Sequence, residues 1–209
     1  MAAPVSLVTV DGIELEAELG LATTERARLV LCHPHPLRGG TMRSLVISEL
    51  FTALPAAGIT CLRFNFRGVG ESGGTHDDGD SERHDVRAAI DEVDALTADR
   101  SVPIVLVGWS FGADLALSVQ DPRLAGWIAI APPLRYAHDL DALAVDPRPK
   151  LLILGERDEI RDPAEIHAIA EHWAACTTEI IPGASHFFVG RTHQLIRSVC
   201  DWVDRIIPS

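Results

Sequence analysis

A serine flanked by glycines is the residue in this sequence best suited to nucleophilic chemistry. The segment Gly108-Trp109-Ser110-Phe111-Gly112 follows the apolar run Val102–Val107 and precedes the helically spaced segment Phe111–Val119. Flanking glycines allow a sharp turn from strand to helix, which exposes the hydroxyl and directs the helix N-terminus toward it. The pentapeptide alone can arise by chance in a loop of small residues. In this context it predicts that Ser110 is a nucleophile.

A serine hydroxyl is a weak nucleophile, so it needs a base, and the base needs a carboxylate to fix its tautomer. For a nucleophile on a strand-to-helix turn, the acid follows along the chain and the histidine comes after it. The run Lys150–Leu154 leads into Gly155-Glu156-Arg157-Asp158-Glu159, which puts carboxylates at the end of a buried strand. We predict that Asp158 is the acid and that Glu156 and Glu159 form salt bridges on the surface.

The predicted base is His186, in the segment Ser185-His186-Phe187-Phe188. Gly183 indicates a loop after a short strand, and the two phenylalanines offer apolar packing for the imidazole. His193 falls in a predicted helix and is the weaker candidate. The other downstream histidines have no metal-ligand spacing, because positions five apart lie on different faces of a helix, and we expect them on the surface: His138, His167 and His172.

Acyl transfer also needs hydrogen-bond donors for the developing oxyanion, normally two backbone amides. One follows the nucleophile, which is the amide of Phe111. The other comes from the loop after the third strand, here His33-Pro34-His35-Pro36. Proline has no amide hydrogen, so only His35 offers a donor between the two prolines. His33 and His35 could also form a metal pair, but no third ligand is evident, and we expect no metal.

A second glycine motif competes for a functional interpretation. Gly68-Val69-Gly70-Glu71-Ser72-Gly73 follows a predicted strand and matches the Gly-x-Gly-x-x-Gly pattern of dinucleotide sites, which would make the protein a nicotinamide-dependent oxidoreductase. The residues after it, Gly74–Gly79, continue as a loop, so no helix N-terminus is available for a pyrophosphate. We therefore expect these glycines to form turns below the active site and expect no organic cofactor.

Short apolar runs alternate with helically spaced segments along the chain, which predicts a mostly parallel sheet covered by helices on both faces. Asp11-Gly12 between alternating segments predicts an initial hairpin. Too few residues separate the run Gly126–Ala131 from Lys150 for a cap domain. The predicted strands are Ser6–Val10, Ile13–Leu19, Ala27–Cys32, Gly58–Phe64, Val102–Val107, Gly126–Ala131 and Lys150–Leu154; the predicted helices are Thr41–Ala57, Ser81–Ala98, Phe111–Val119, Pro163–Ala175 and Arg191–Ile207.

Composition restricts the class of protein. The 209 residues are 47% hydrophobic and 23% charged, which is typical of one globular domain, here residues 1–209. A net charge of −12 disfavours nucleic acid and anionic membranes as partners. No signal-peptide pattern or membrane-length apolar run occurs, and the unpaired cysteines are expected to be small buried hydrophobic residues in a reducing compartment. We expect a cytoplasmic protein.

With these residues in place, the sequence resembles small, lidless bacterial α/β-hydrolases related to dienelactone hydrolases and carboxylesterases. The resemblance spans nearly the whole chain and implies an α/β-hydrolase fold with about eight strands and no cap domain. Dienelactone hydrolases carry a cysteine nucleophile where this sequence has Ser110, so the resemblance implies ester hydrolysis instead. The matching segments are Leu31–Pro36 with Gly39–Met42, Arg63–Ser72, Gly108–Gly112, Gly155–Asp158 and Ser185–Phe188.

The predicted function is a serine carboxylesterase that acts on a small-molecule ester with a short acyl group. Thioesterase or peptidase activity with the same triad remains open, and so does a non-catalytic ligand-binding protein that keeps the fold. The predicted walls of the substrate pocket, chosen for their nearness in sequence to site residues, are Leu37, Met42, Trp109, Leu134 and Phe187.

Overall fold

A computed structural model describes residues 2–96 and 101–207 of the chain. In these residues eight strands form one sheet in the order β1-β2-β4-β3-β5-β6-β7-β8. The strand β2 runs antiparallel to both of its neighbours, and the other pairs are parallel. This confirms the predicted fold class. The strands are β1 Ala2–Val8, β2 Glu14–Gly20, β3 Ala27–Cys32, β4 Ile59–Phe64, β5 Ile104–Trp109, β6 Leu124–Ile130, β7 Lys150–Gly155 and β8 Cys176–Ile181.

Helices cover both faces of the sheet. One apolar core contains side chains of α2, α3, α4 and α5, and a second core on the opposite face contains side chains of α1 and α6. The helices are α1 Leu45–Ala53, α2 Glu82–Ala95, α3 Phe111–Ser118, α4 Leu140–Val145, α5 Pro163–Ala170 and α6 Thr192–Ile206.

The central strands are buried on both faces, which explains their continuous apolar runs. In β3, Leu29 and Leu31 pack into the core under α1 and α6, whereas Val30 packs into the other core. The same alternation separates Val105 from Leu106 in β5. The period of two in strand geometry thus divides one apolar run between two cores.

Several predicted boundaries were wrong for local reasons. The first hairpin has a longer loop than Asp11-Gly12 alone, because the Thr9 amide bonds to the Ile13 carbonyl while the Thr9 hydroxyl accepts from the Ile13 amide. The helix predicted from Thr41 begins only at Leu45. It ends at Ala53, and a 3-10 turn over Leu54–Ala57 follows, in which Pro55 lacks an amide to continue the helix.

The predicted start of α5 is confirmed, whereas its predicted end was wrong. Asp162 caps α5 through an Oδ1 that accepts from the Ala164 amide at 2.9 Å, as its position before Pro163 predicts. That helix ends at Ala170, earlier than expected. The predicted C-terminal end of α2, Ala98, lies outside the described residues.

Between β6 and β7 the chain forms only the six-residue helix α4. As predicted, the described residues form no cap domain over the carboxyl ends of the parallel strands. Among the described residues, no helix combines the length and apolar character needed to cross a bilayer. The expectation of uniformly buried cysteines was wrong in part: Cys32 and Cys61 are buried, whereas Cys176 and Cys200 are partly exposed.

Candidate active site

Ser110 occupies the turn that joins β5 directly to α3. Its backbone has φ 56° and ψ −120°, a combination that is strained for a residue with a side chain. The flanking glycines permit this turn because neighbouring backbone leaves no space for a side chain. A Cβ on Gly108 would lie 2.0 Å from the Gly112 carbonyl oxygen, and one on Gly112 would lie 2.2 Å from the Cys32 carbonyl oxygen.

Two loops bring a histidine and a carboxylate to this serine. His186 Nε2 lies 2.9 Å from Ser110 Oγ, and His186 Nδ1 lies 2.8 Å from Asp158 Oδ2. Asp158 follows β7 and His186 follows β8, so two adjacent strands of the sheet supply both groups. The structure therefore brings together the three side chains that the sequence singled out.

The hydrogen bonds around Asp158 assign its charge and the tautomer of His186. Burial disfavours ionisation of Asp158, but hydrogen bonds from His186 and from the Ile160 amide outweigh it and hold the pKa of the carboxyl below its ordinary value. An ionised carboxylate only accepts, so His186 Nδ1 carries the proton. The unprotonated Nε2 then accepts a hydrogen bond from the Ser110 hydroxyl, which is the arrangement a general base requires.

The other carboxylates near Asp158 have roles different from the predicted surface salt bridges. Glu159 accepts a hydrogen bond from the His186 amide at 3.2 Å, and Glu156 accepts one from the Gly183 amide at 2.7 Å. Trp109 Nε1 donates to the His186 carbonyl at 3.0 Å. These bonds fix the backbone of the loop that carries the histidine.

Phe111 and His35 both line the cleft that also contains Ser110. In the part of the chain that the structure describes, neither of their backbone amides donates to a protein acceptor. The two segments lie against each other, because Gly112 packs directly on the backbone of Cys32 and His33. These two free amides are therefore the candidate donors to an anionic oxygen at this cleft.

Comparison with known proteins agrees with this geometry. The sequence pattern of an alpha/beta hydrolase domain matches residues 25–199. The chain belongs to the alpha/beta-hydrolase family. A protein of Rickettsia prowazekii is 32% identical over 200 residues, which cover 90% of this chain and 84% of that protein.

Two solved structures extend the comparison. One, described as an alpha-beta serine hydrolase homologue from Coxiella burnetii, shares 32% identity and a TM-score of 0.86, over 95% of this chain and 96% of that one. The other, from Xanthomonas campestris and described as a serine hydrolase without a lid, shares 31% identity and a TM-score of 0.88, over 100% of this chain and 96% of that one. This chain is thus similar over nearly its whole length to two proteins described as serine hydrolases.

The cleft of this hydrolase has a volume of about 690 Å³ and opens over Ser110. Of the five predicted walls, Trp109 and Phe187 line it, and the other three do not. Leu37 points to solvent with 71% of its surface exposed, and Met42 is completely buried. Nearness in sequence fails for these two because it does not determine which way a side chain points: Arg38 and Gly40 from the same segment line the cleft.

Leu134 was also predicted as a wall, but it packs against the core under α3. The buried carboxylate of Asp114 accepts from the amides of Leu134, Arg135 and Tyr136, at 2.8 to 2.9 Å. This folds the segment so that Arg135 and Tyr136 line the cleft instead. Sequence reasoning missed both, and it missed Arg38, because nearness in sequence to site residues does not show which side chains face the cleft.

The ring nitrogens of His33 and His35 are all engaged within the protein. His33 Nδ1 donates to the Pro34 carbonyl and its Nε2 accepts from the Phe66 amide, while burial lowers the pKa of this histidine to about 4. His35 Nε2 bonds to the Tyr136 hydroxyl and its Nδ1 accepts from the Leu37 amide. These bonds leave neither ring arranged as a metal ligand. The described residues contain no cluster of three potential ligands.

The second glycine motif forms a closed turn. The Gly68 amide donates to the Gly73 carbonyl at 2.9 Å, and the Ser72 hydroxyl donates to the Asn65 carbonyl at 2.7 Å. Helix α2 begins only at Glu82, so the motif does not lead into a helix N-terminus that could bind a pyrophosphate. The loop geometry does not fit the dinucleotide hypothesis.

Proposed function

We propose that the protein hydrolyses carboxylic esters of small or short-chain acyl groups through an acyl-enzyme on Ser110. The observation that carries this proposal is the hydrogen-bonded line from Asp158 through His186 to a strained serine at the mouth of an open cleft. A carboxylate, an imidazole and a hydroxyl in this order form the set that acyl transfer requires.

In the proposed reaction, Ser110 Oγ attacks the ester carbonyl carbon while His186 Nε2 takes the hydroxyl proton. The carbonyl oxygen becomes an oxyanion that accepts hydrogen bonds from the amides of Phe111 and His35. When the tetrahedral intermediate collapses, the C–O bond to the alcohol breaks and the imidazolium gives its proton to the leaving oxygen. Water then attacks the acyl-enzyme with His186 again as the base, which releases the acid and restores Ser110. Asp158 stabilises the imidazolium in both halves of the reaction.

The preference for short acyl groups follows from the open cleft. Burying a methylene contributes about 0.8 kcal/mol, but only where an apolar wall covers it. Arg38 and Arg135 line this cleft beside its apolar residues, and between β6 and β7 the described chain adds only the short helix α4 and no cap. A long acyl chain would therefore leave most of its methylenes in water.

Fluorophosphonate labelling of the wild type and of Ser110→Ala, together with turnover of esters of rising acyl length, tests the proposal. We expect labelling of the wild type only and a maximum at short acyl groups. Labelling that persists in Ser110→Ala would assign the nucleophile to another residue, and a maximum at long-chain esters would reject the proposed acyl preference. Matched thioesters and peptides belong in the same assay, because faster turnover of either would replace the ester assignment.

A further inference from the structure

Two side chains that meet in the cleft come from loops 101 positions apart in the sequence. His35 Nε2 and Tyr136 Oη are 3.0 Å apart. The two rings meet edge to face with centroids 5.2 Å apart, and Tyr136 also packs edge-on against Phe111 at 5.1 Å. These contacts hold the phenol ring in one position against the side chains of His35 and Phe111.

The direction of the hydrogen bond between His35 and Tyr136 follows from a third group. The Leu37 amide lies 3.2 Å from His35 Nδ1, and an amide can only donate. Nδ1 is therefore unprotonated, and in a neutral imidazole the proton must be on Nε2, which donates to the tyrosine oxygen. Burial, and then the neighbouring His76 and Arg38, lower the pKa of His35, which favours the neutral ring.

This assignment leaves the proton of the Tyr136 hydroxyl without a protein acceptor among the described residues. Tyr136 lines the cleft, and so do Arg38 and Arg135, whose guanidinium groups can only donate. Glu159 is an acceptor in the same cleft, but its Oε2 already accepts from the His186 amide. Arg135 already donates to the Ile160 carbonyl at 3.4 Å, so the Tyr136 hydroxyl is the donor whose position in the cleft the structure fixes best.

We propose that the Tyr136 hydroxyl donates a hydrogen bond to the substrate, that the His35 imidazole positions this hydroxyl, and that the preferred esters carry an oxygen acceptor in addition to the scissile carbonyl. This inference rests on the proposed ester hydrolysis and specifies its substrate class. Tyr136 is a substrate-binding residue and His35 a positioning residue that acts through it.

Two pairs of isosteric esters test the proposal, since each pair exchanges one methylene for an ether oxygen. In the acyl part the pair is p-nitrophenyl methoxyacetate and p-nitrophenyl butyrate. In the alcohol part it is 2-methoxyethyl butyrate and n-butyl butyrate. The measured quantity is kcat/KM for the ester with the ether oxygen divided by kcat/KM for its all-carbon partner. This ratio is compared between variants, because the intrinsic reactivity of the two esters is the same for every variant and cancels.

We expect Tyr136→Phe to lower this ratio by about 3- to 10-fold in one of the two pairs, which is the effect of one net hydrogen bond. The responding pair shows whether the acceptor belongs to the acyl or the alcohol part. A ratio within twofold of the wild type in both pairs would overturn the proposal. So would an equal loss for both members of each pair, because it would assign Tyr136 a general role.

Two substitutions at His35 test the positioning role, and both keep its backbone amide. His35→Gln retains a donor near the position of Nε2 and should keep the ratio of the wild type. His35→Asn retains an acceptor near Nδ1, but its side chain is too short to bring the NH2 group to the position of Nε2, so it should lower the ratio as Tyr136→Phe does. Equal ratios in these two variants would overturn the positioning role.

Fluorophosphonate labelling of every variant separates this inference from the proposed function. Labelled, active enzymes with unchanged ratios would overturn the inference alone. A wild type that neither labels nor cleaves any of the four esters would overturn ester hydrolysis and this inference with it.

Discussion

Two glycine-rich turns follow parallel strands of this sheet, and they differ in whether their polar groups are available to a ligand. The turn after β5 carries Ser110 and leads at once into α3, whereas the turn after β4 carries Gly68 and Gly70 and is separated from α2 by a long loop. At the first turn the Phe111 amide is free and the serine hydroxyl bonds to a base. The first turn therefore has groups available for a ligand.

At the second turn the polar groups bond to one another. Arg67 forms ion pairs with the buried Asp85 at 2.7 Å and with Asp11 at 2.9 Å, and Asn65 donates to Glu16 at 2.7 Å. These bonds tie the loop to β2 and α2, so the turn supports the sheet beneath the site. The comparison shows that two similar glycine motifs differ in the polar groups that their surroundings leave available to a ligand.

The largest expected effect is a loss of turnover when the first turn is changed at Ser110. Replacing Ser110 by alanine removes the hydroxyl that bonds to His186 Nε2, so turnover should fall by roughly 10⁶-fold, as loss of a triad serine does elsewhere. Steady-state kinetics on short-chain esters measures the loss. Residual activity within tenfold of the wild type would contradict the assignment.

The next effect concerns the carboxylate behind the histidine. Asp158→Asn should keep the fold but lower kcat by about 10⁴-fold, because an amide in place of the carboxylate favours the wrong tautomer of His186. Glu156→Gln is the matched control, since a glutamine oxygen can still accept from the Gly183 amide, and its kcat should stay near that of the wild type. If Asp158→Asn keeps its activity, Glu156 or Glu159 must act as the acid.

The backbone amide of His35 should contribute less to kcat than Ser110 or Asp158 does. His35→Pro removes the amide hydrogen and should lower kcat by about 10² to 10³-fold, the effect of deleting one oxyanion donor. His35→Ala keeps that hydrogen and should lose activity only modestly through packing and the contact with Tyr136. Circular dichroism must show that both variants fold. A folded but inactive His35→Ala would withdraw the amide from the proposed oxyanion hole.

A substitution in the second turn should affect stability and not chemistry. Gly70 has φ 57°, and a Cβ there would lie 2.5 Å from Asn65 Nδ2. Gly70→Ala should lower the free energy of unfolding by about 1–3 kcal/mol while fluorophosphonate labelling persists. At Gly73 a Cβ would come no closer than 3.5 Å, so Gly73→Ala is the control with little expected change in denaturant unfolding. Loss of labelling in folded Gly70→Ala would give the second turn a role in the site.

The smallest expected effect depends on pH. The Arg67 guanidinium holds the pKa of Asp11 below its usual range, so the native carboxylate releases its proton more readily than the unfolded one. The pair therefore stabilises the fold above about pH 4, the unfolded pKa, and this contribution disappears as the pH falls through the folded pKa. Asp11 is partly exposed, so Asp11→Asn should cost less than about 1 kcal/mol in urea unfolding at pH 7. An equal cost at pH 7 and well below pH 4 would contradict this account.

The fold and the triad side chains were predictable because they depend on local patterns. Buried parallel strands need continuous apolar runs, and a strand-to-helix turn as tight as that at Ser110 needs glycines on both sides. The pocket walls were not predictable in the same way. Leu134 is apolar and close in sequence to the site. The hydrogen bonds that Asp114 accepts from this segment nevertheless place Leu134 against the core and Tyr136 in the cleft.

The sequence by itself determined the order of strands and helices, the position of the nucleophile and the candidates for its base and acid, because each depends on residues adjacent along the chain. Only the tertiary structure decided which carboxylate meets His186, that the second glycine motif is closed, and that Tyr136 lies beside His35. These outcomes depend on contacts between segments tens of residues apart. Such contacts form only when the sheet brings the ends of its strands together.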